Sequence, residues 1–258
     1  LVHAVGVGDL IRSLHPREVT VFHASAEAPH LVSISAGGDP NLRVSNEILA
    51  THLAQRLSVT QLPTSPSTGA ANKTHHCRAC GKHHLNEHLD GLISCGPGGT
   101  ALRTPWHDDI GRVFHRMATC VGIPSVREPA GIAVDSNIRT DLKLSSVSAR
   151  RADAYLDVVT YEHTQGATWD REAQLPGIFC DRADRFKYGK HNDARNDFNP
   201  IAVNEYSNEY SQLGPQALDV VDIIVPRSHD PVALKTYMLR QLAVVTANHE
   251  CRSHPTSL

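Results

Sequence analysis

The sequence predicts an α/β domain with a small zinc knuckle in front of it. Three observations carry this: a cluster of cysteines and histidines between Cys77 and Cys95, an amphipathic helical pattern followed by two short apolar segments rich in β-branched residues, and two further helical patterns that close the chain. The 258 residues suffice for one ordinary domain with appendages or for two small ones.

Composition narrows the field before any motif is considered. A hydrophobic fraction of 40% with only 5% aromatic residues describes a globular chain with a mainly aliphatic core. Lys plus Arg number 25 against 27 Asp plus Glu, a formal charge of -2, so any nucleic-acid contact must come from local basic patches. No apolar run approaches the roughly 20 residues that span a bilayer, and the best, Leu218 to Val225, carries Asp219 and Asp222; no membrane partner is expected. Of the six cysteines three cluster and three scatter, which suits a metal site plus reduced thiols in an intracellular setting better than a disulfide framework. A chain opening on Leu1 rather than Met reads as a piece of something longer.

Taken in order, residues 1–60 form an amino-terminal segment whose first part allows short strands around Val19, Val21, Val32 and Ile34. From Ser45, a suitable N-cap, Ile48, Leu49, Leu53 and Leu57 recur at helical spacing and require a partner for their apolar stripe. Residues 61–76 are rich in Pro, Ser, Thr, Gly and Asn and are expected to be a linker. Residues 77–99 hold the knuckle, and residues 100–250 the main domain. There, Thr104 can cap a helix with Pro105 at its first position, Ile110, Val113, Phe114, Met117 and Val121 on one face, and Gly122 at its end. Strand segments are expected at 138–144 and 154–160 across a Ser-rich turn, then a charged helix at 181–190 and a strand at 200–203. Helices opening at Gly214-Pro215 and at Asp230-Pro231 follow, the second with Leu234, Met238, Leu242 and Val245 on a face.

The Cys77-x-x-Cys80 pair lets a tight turn present two thiolates to one ion, and His88 and Cys95 complete a closed Cys-Cys-His-Cys set for structural zinc. His83 and His84 compete for the histidine position. With no open coordination position, such a site folds its segment rather than performing chemistry.

Beyond Cys95 the order of features is Gly98-Gly99, Trp106-His107 at a helix start, Arg127-Glu128-Pro129, Arg139-Thr140-Asp141, Tyr155-Leu156-Asp157-Val158, and Arg185-Phe186-Lys187-Tyr188. This order resembles the carboxyl-terminal region of non-LTR retrotransposon polyproteins of the restriction-like-endonuclease type, in which a CCHC knuckle precedes a PD-(D/E)XK nuclease domain. The resemblance covers about residues 42–245. It implies a restriction-endonuclease-like mixed sheet flanked by helices, a metal-dependent DNA endonuclease that nicks a strand, Asp141 and Asp157 as metal-binding carboxylates, Glu128 as a third, and Lys187 as a catalytic lysine displaced onto a helix. It also implies DNA, and RNA as a second ligand, an upstream reverse transcriptase domain outside this chain, and a nuclear location. The chain departs from the family pattern at Thr140, where the family has proline, in the long interval from His88 to Cys95, and in the long segment between Asp157 and Lys187.

Physical chemistry gives these residues a shared task. Phosphodiester cleavage suits a hard cation such as magnesium, held by carboxylates on neighbouring strands, with a lysine to stabilise charge developing on the phosphate. Lys187 or Lys190 can supply the lysine, and so can Lys143, which lies two residues from Asp141 on one strand face; Glu128, Asp141 and Lys143 then form a more local version of the site. Arg139, Lys143, Arg150 and Arg151, and separately Arg182, Arg185, Lys187 and Lys190, are the basic groups available for phosphates. The alternative function is a non-catalytic, zinc-dependent nucleic-acid-binding module.

Overall fold

The computed structural model describes residues 42, 44, 45, 48, 75–76, 84–85, 96–129, 140–147, 153–161, 182–183, 185–187, 198–204, 213 and 215–253. In chain order these form β1 (His75–His76), β2 (His84–Leu85), α1 (Gly96–Cys120), β3 (Ser125–Arg127), β4 (Leu142–Ser145), β5 (Asp153–Tyr161), β6 (Phe198–Asn204), α2 (Pro215–Ile224), a short 3-10 turn (Val225–Arg227) and α3 (Pro231–Ser253). The described residues are thus mixed α/β. β1 and β2 pair as an antiparallel hairpin, with β1 taking the last two residues of the predicted linker. The larger sheet has the order β3-β4-β5-β6, with the first three strands antiparallel and β6 parallel to β5. No described helix is long and apolar enough to cross a membrane.

α1 starts earlier than the sequence suggests. The Gly- and Pro-rich run 96–104 is helical, and Pro105 lies inside the helix rather than at its start. Proline there forgoes one intrahelical hydrogen bond, and the burial of the following turns compensates, because Trp106, Ile110, Val113, Phe114, Met117 and Ala118 are all buried. The helix ends where expected. Gly122 adopts φ +75, Gly122 N–H donates to the Thr119 carbonyl, and Ile123 N–H reaches back to Ala118. This is a Schellman closure, whose usual apolar contact has its counterpart in Ala118 and Ile123, both in the core.

β4 presents Leu142 and Leu144 to the core and Lys143 to the other face, and β5 does the same with Ala154, Leu156 and Val158. Leu142 pairs directly with Leu156, so the hairpin register matches apolar to apolar. α2 adds Ala217, Val220, Val221 and Ile224 at helical spacing, and α3 adds Met238, Leu239 and Leu242. Full burial of a Leu or Phe side chain contributes about 1.5–3 kcal/mol each, so Phe114 or Leu156 alone matters to stability.

Asp230 caps α3: its Oδ1 accepts from Ala233 N–H at 2.9 Å, with Pro231 at the first helical position, as expected. Ser45 Oγ likewise accepts from Ile48 N–H at 3.2 Å, the predicted cap. Ile48 packs, with Leu42 and Val44, on Ala243, Val244 and Ala247 of α3, while Leu49, Leu53 and Leu57 of the predicted stripe lie outside the described residues. Arg227 ties the turn after β4 to the α2–α3 junction by donating to the Ser146 and Val147 carbonyls at 3.0 and 2.8 Å, beside a left-handed Ser146 at φ 58.

Candidate metal centre

Sheet register brings the two aspartates together. Leu142 lies opposite Leu156, so extending the ladder by one residue sets Asp141 beside Asp157. The backbone makes this extension: Asp141 N–H donates to the Leu156 carbonyl at 2.9 Å, and the Asp141 carbonyl accepts from Glu128 N–H at 2.9 Å. Asp141 is therefore held between β3 and β5 although it precedes β4. Its carboxylate turns toward β5, where Oδ2 accepts from Val158 N–H at 2.6 Å.

α1 supplies the third member. His107 Nε2 lies 2.9 Å from Asp141 Oδ2, and Nδ1 lies 3.2 Å from Asp108 Oδ1. Its neighbour Trp106 is buried and stacks on His249 of α3, with ring centroids 4.4 Å apart and planes 6° apart, so the turn that presents His107 is packed against α3. Ligand-capable atoms of His107, Asp141 and Asp157 all lie within 4.8 Å of one another. Lys187 arrives from the helical residues 185–187, and its Nζ contacts Asp157 Oδ2 at 2.8 Å, with the lysine side chain 14% and the aspartate side chain 8% exposed.

The electrostatics follow from this crowding. Burial by itself would lower the His107 pKa, but hydrogen bonding and charge attraction from Asp141, and then from Asp108, outweigh it and carry the imidazole above its ordinary 6.5. Burial would raise Asp141, yet the hydrogen bonds from His107, Asp157 and Val158 N–H hold it below 3.8. Asp157 goes the other way: burial first, then the hydrogen bond with Asp141, raise it above 3.8 against the pull of Lys187. Two acids this close do not both ionise easily, and His107 and Lys187 stand against them, at 2.9 Å from Asp141 and 2.8 Å from Asp157.

Asp141, Asp157 and Lys187 are thus brought together, while two other sequence-derived residues are not. Lys143 shares the strand face of Asp141, but its Nζ pairs with Asp153 at 2.9 Å and lies 5.6 Å from the Tyr155 ring centre. Glu128 contributes its backbone N–H to the Asp141 carbonyl from a left-handed φ of 48, while its side chain is exposed and is not a member of the His107, Asp141 and Asp157 set within 4.8 Å. The local Glu128, Asp141 and Lys143 arrangement is therefore not assembled. Cys77, Cys80, His88 and Cys95, the zinc ligands expected from sequence, lie outside the described residues, as does Lys190.

The sequence does not single out His107 as a site residue. Its signal was its place beside Trp106 near a predicted helix start, which says nothing about which strand end the helix crosses. Thr140, where the resemblance calls for proline, is 1% exposed with no hydrogen-bond partner for its hydroxyl among the described residues.

A nitrogen and two carboxylates form a donor set suited to magnesium or manganese, with the imidazole favouring the latter. Bound there, such an ion would polarise a phosphoryl oxygen and acidify an attacking water. Comparison with protein-family models, curated proteins and solved structures finds no match to this chain.

Proposed function

We propose that this chain is a divalent-metal-dependent endonuclease region, hydrolysing a phosphodiester bond of DNA, with a zinc knuckle ahead of a restriction-endonuclease-like domain of a retrotransposon polyprotein. The observation that carries the reading is the convergence of His107, Asp141 and Asp157 within 4.8 Å, with Lys187 at 2.8 Å from Asp157. The element order supports it: a helix, three antiparallel strands, a helical segment bearing the lysine, and a fourth strand parallel to the third.

In this reading His107, Asp141 and Asp157 hold magnesium or manganese. Val158 N–H fixes the Asp141 carboxylate so that its second oxygen keeps a defined direction. Lys187 neutralises Asp157 before the substrate arrives and then turns its charge to the phosphate, where negative charge builds in the transition state. The packed Trp106 and His249 rings keep the His107 turn from shifting.

The same reading includes a knuckle whose zinc is held by Cys77, Cys80, Cys95 and either His88 or His84, the last of which lies in β2 paired with β1. Zinc near one equivalent per chain, lost on Cys80→Ser, is the expected metal analysis; unchanged zinc would remove that site.

The activity test is conversion of supercoiled plasmid to nicked circles with magnesium or manganese. Parent protein is expected to nick, and Asp141→Asn and Asp157→Asn are expected to lose at least a hundredfold in rate. Equal nicking by all three would refute the assignment; no nicking by the parent, with nucleic-acid binding retained, would favour the non-catalytic zinc-dependent module.

A further inference from the structure

Phe186 is 68% exposed, and it immediately precedes the lysine that contacts Asp157. Val126 and Val232 are the other exposed large apolar side chains among the described residues, and neither neighbours Lys187 in the sequence. Successive helical residues point about 100° apart, so with Lys187 directed into the acid cluster, Phe186 projects beside it rather than into it. Arg182, also exposed, lies four positions before Phe186, and both belong to described helical residues, 182–183 and 185–187. An exposed ring therefore stands next to the lysine that contacts Asp157, with an exposed arginine four positions before it. Arg185 adds a second exposed cation there.

This combination fits one class of ligand. A nucleotide strand offers a phosphate and an aromatic base at closely similar spacing, and aromatic side chains stack on bases whose faces are open. A paired base inside a duplex has its faces covered by neighbours, so the ring can engage only an unpaired or extruded base. We propose that Phe186 is a base-stacking contact for an unpaired nucleotide next to the scissile phosphate, with Arg182 holding the adjoining phosphate. This deepens the endonuclease reading and rests on it: the chain would favour sites where pairing is interrupted, such as flaps, bubbles or frayed ends.

The test measures binding of the full chain in calcium, to suppress cleavage, to three oligonucleotides: a single strand, a fully paired duplex, and a duplex with a short central bubble. Phe186→Ala should weaken binding to the single strand and the bubble about tenfold and to the paired duplex less than about twofold, and Phe186→Trp should restore it, stacking on one aromatic side chain being sized from a few-fold to about a hundredfold. Phe186 is exposed, so these variants should fold as the parent does, which unchanged thermal midpoints check. Loss of affinity that is the same for all three ligands, or no loss at all while the parent still binds and nicks, overturns the stacking contact and leaves the endonuclease reading standing. Binding that depends on Phe186 in a parent that never nicks keeps the contact and sinks the endonuclease. A parent that binds none of the three overturns both.

Discussion

Replacing Lys187 by methionine separates the two tasks given to that side chain. Lys187 Nζ and Asp157 Oδ2 are 2.8 Å apart, with side chains 14% and 8% exposed, so water screens the pair poorly. Removing one member of a well-buried pair costs about 3–5 kcal/mol. Here the lower end is expected, about 3 kcal/mol at pH 7.5, because Asp157 can escape its unpaired charge by taking up a proton. That escape sets the pH dependence. Asp157 is already above its ordinary 3.8, chiefly from burial, and loss of Lys187 pushes it further up. A carboxyl with a raised folded pKa binds more protons folded than unfolded, so its stabilising contribution is full below 3.8 and is lost as pH rises through the folded value. The deficit of Lys187→Met relative to the parent should therefore be largest near neutrality and shrink toward pH 4.5, read by urea melts across that range. Manganese should raise the thermal midpoint of the variant more than that of the parent, because the ion then replaces the positive charge that Lys187 held against Asp157. Nicking should nonetheless fall by about a hundredfold or more. A variant within about 0.5 kcal/mol of the parent at pH 7.5, the range of an ordinary surface substitution, would show that the pair is not buried as described.

Three other outcomes follow from the same geometry. Thr140→Val removes a buried hydroxyl without a partner among the described residues while keeping its shape, and should stabilise the fold by about 1 kcal/mol, a rise of about 2–4 °C in thermal midpoint; a fall would mean that the hydroxyl is bonded. Glu128→Gln should leave manganese affinity and nicking within about twofold of the parent, a change of about 0.4 kcal/mol, since its exposed side chain is not one of the converging ligands; a tenfold loss would return it to the site. Metal affinity should decline on acidification from neutral pH, because Asp141 and Asp108 raise the His107 pKa and the ion competes with a proton for the ring nitrogen, and His107→Gln should flatten that decline when followed by calorimetry.

The parts of this structure that were legible in the sequence are those that local chemistry decides. Ser45 before Ile48, Gly122 after the last turn of α1, and Pro215 and Pro231 at the openings of α2 and α3 each carry their reason within a few residues. The beginning of α1 was not legible, because Gly96 to Thr104 has the composition of a loop and becomes helical ahead of a heavily buried turn. β3 is three residues long, and Ser125-Val126-Arg127 carries no alternation to detect. Within the site, Asp141 and Asp157 stood out as acids of adjacent strand segments, but their side-by-side placement depends on the Leu142 to Leu156 register, which only the packed core determines. Choosing Lys187 over Lys143 was beyond strand parity, since Asp153 captures Lys143. His107 could not be found from spacing, because its link to Asp141 is made by α1 crossing the sheet end and by the Trp106 contact with α3.

The most direct test of the central claim is calorimetric titration of the parent, Asp141→Asn and Asp157→Asn with manganese, a hard ion that does not displace zinc from thiolates. One ion per main domain is expected in the parent, with affinity reduced at least tenfold in each variant, a loss of at least about 1.4 kcal/mol. Absence of binding in the parent, or equal affinity in all three proteins, would contradict a metal centre built from His107, Asp141 and Asp157.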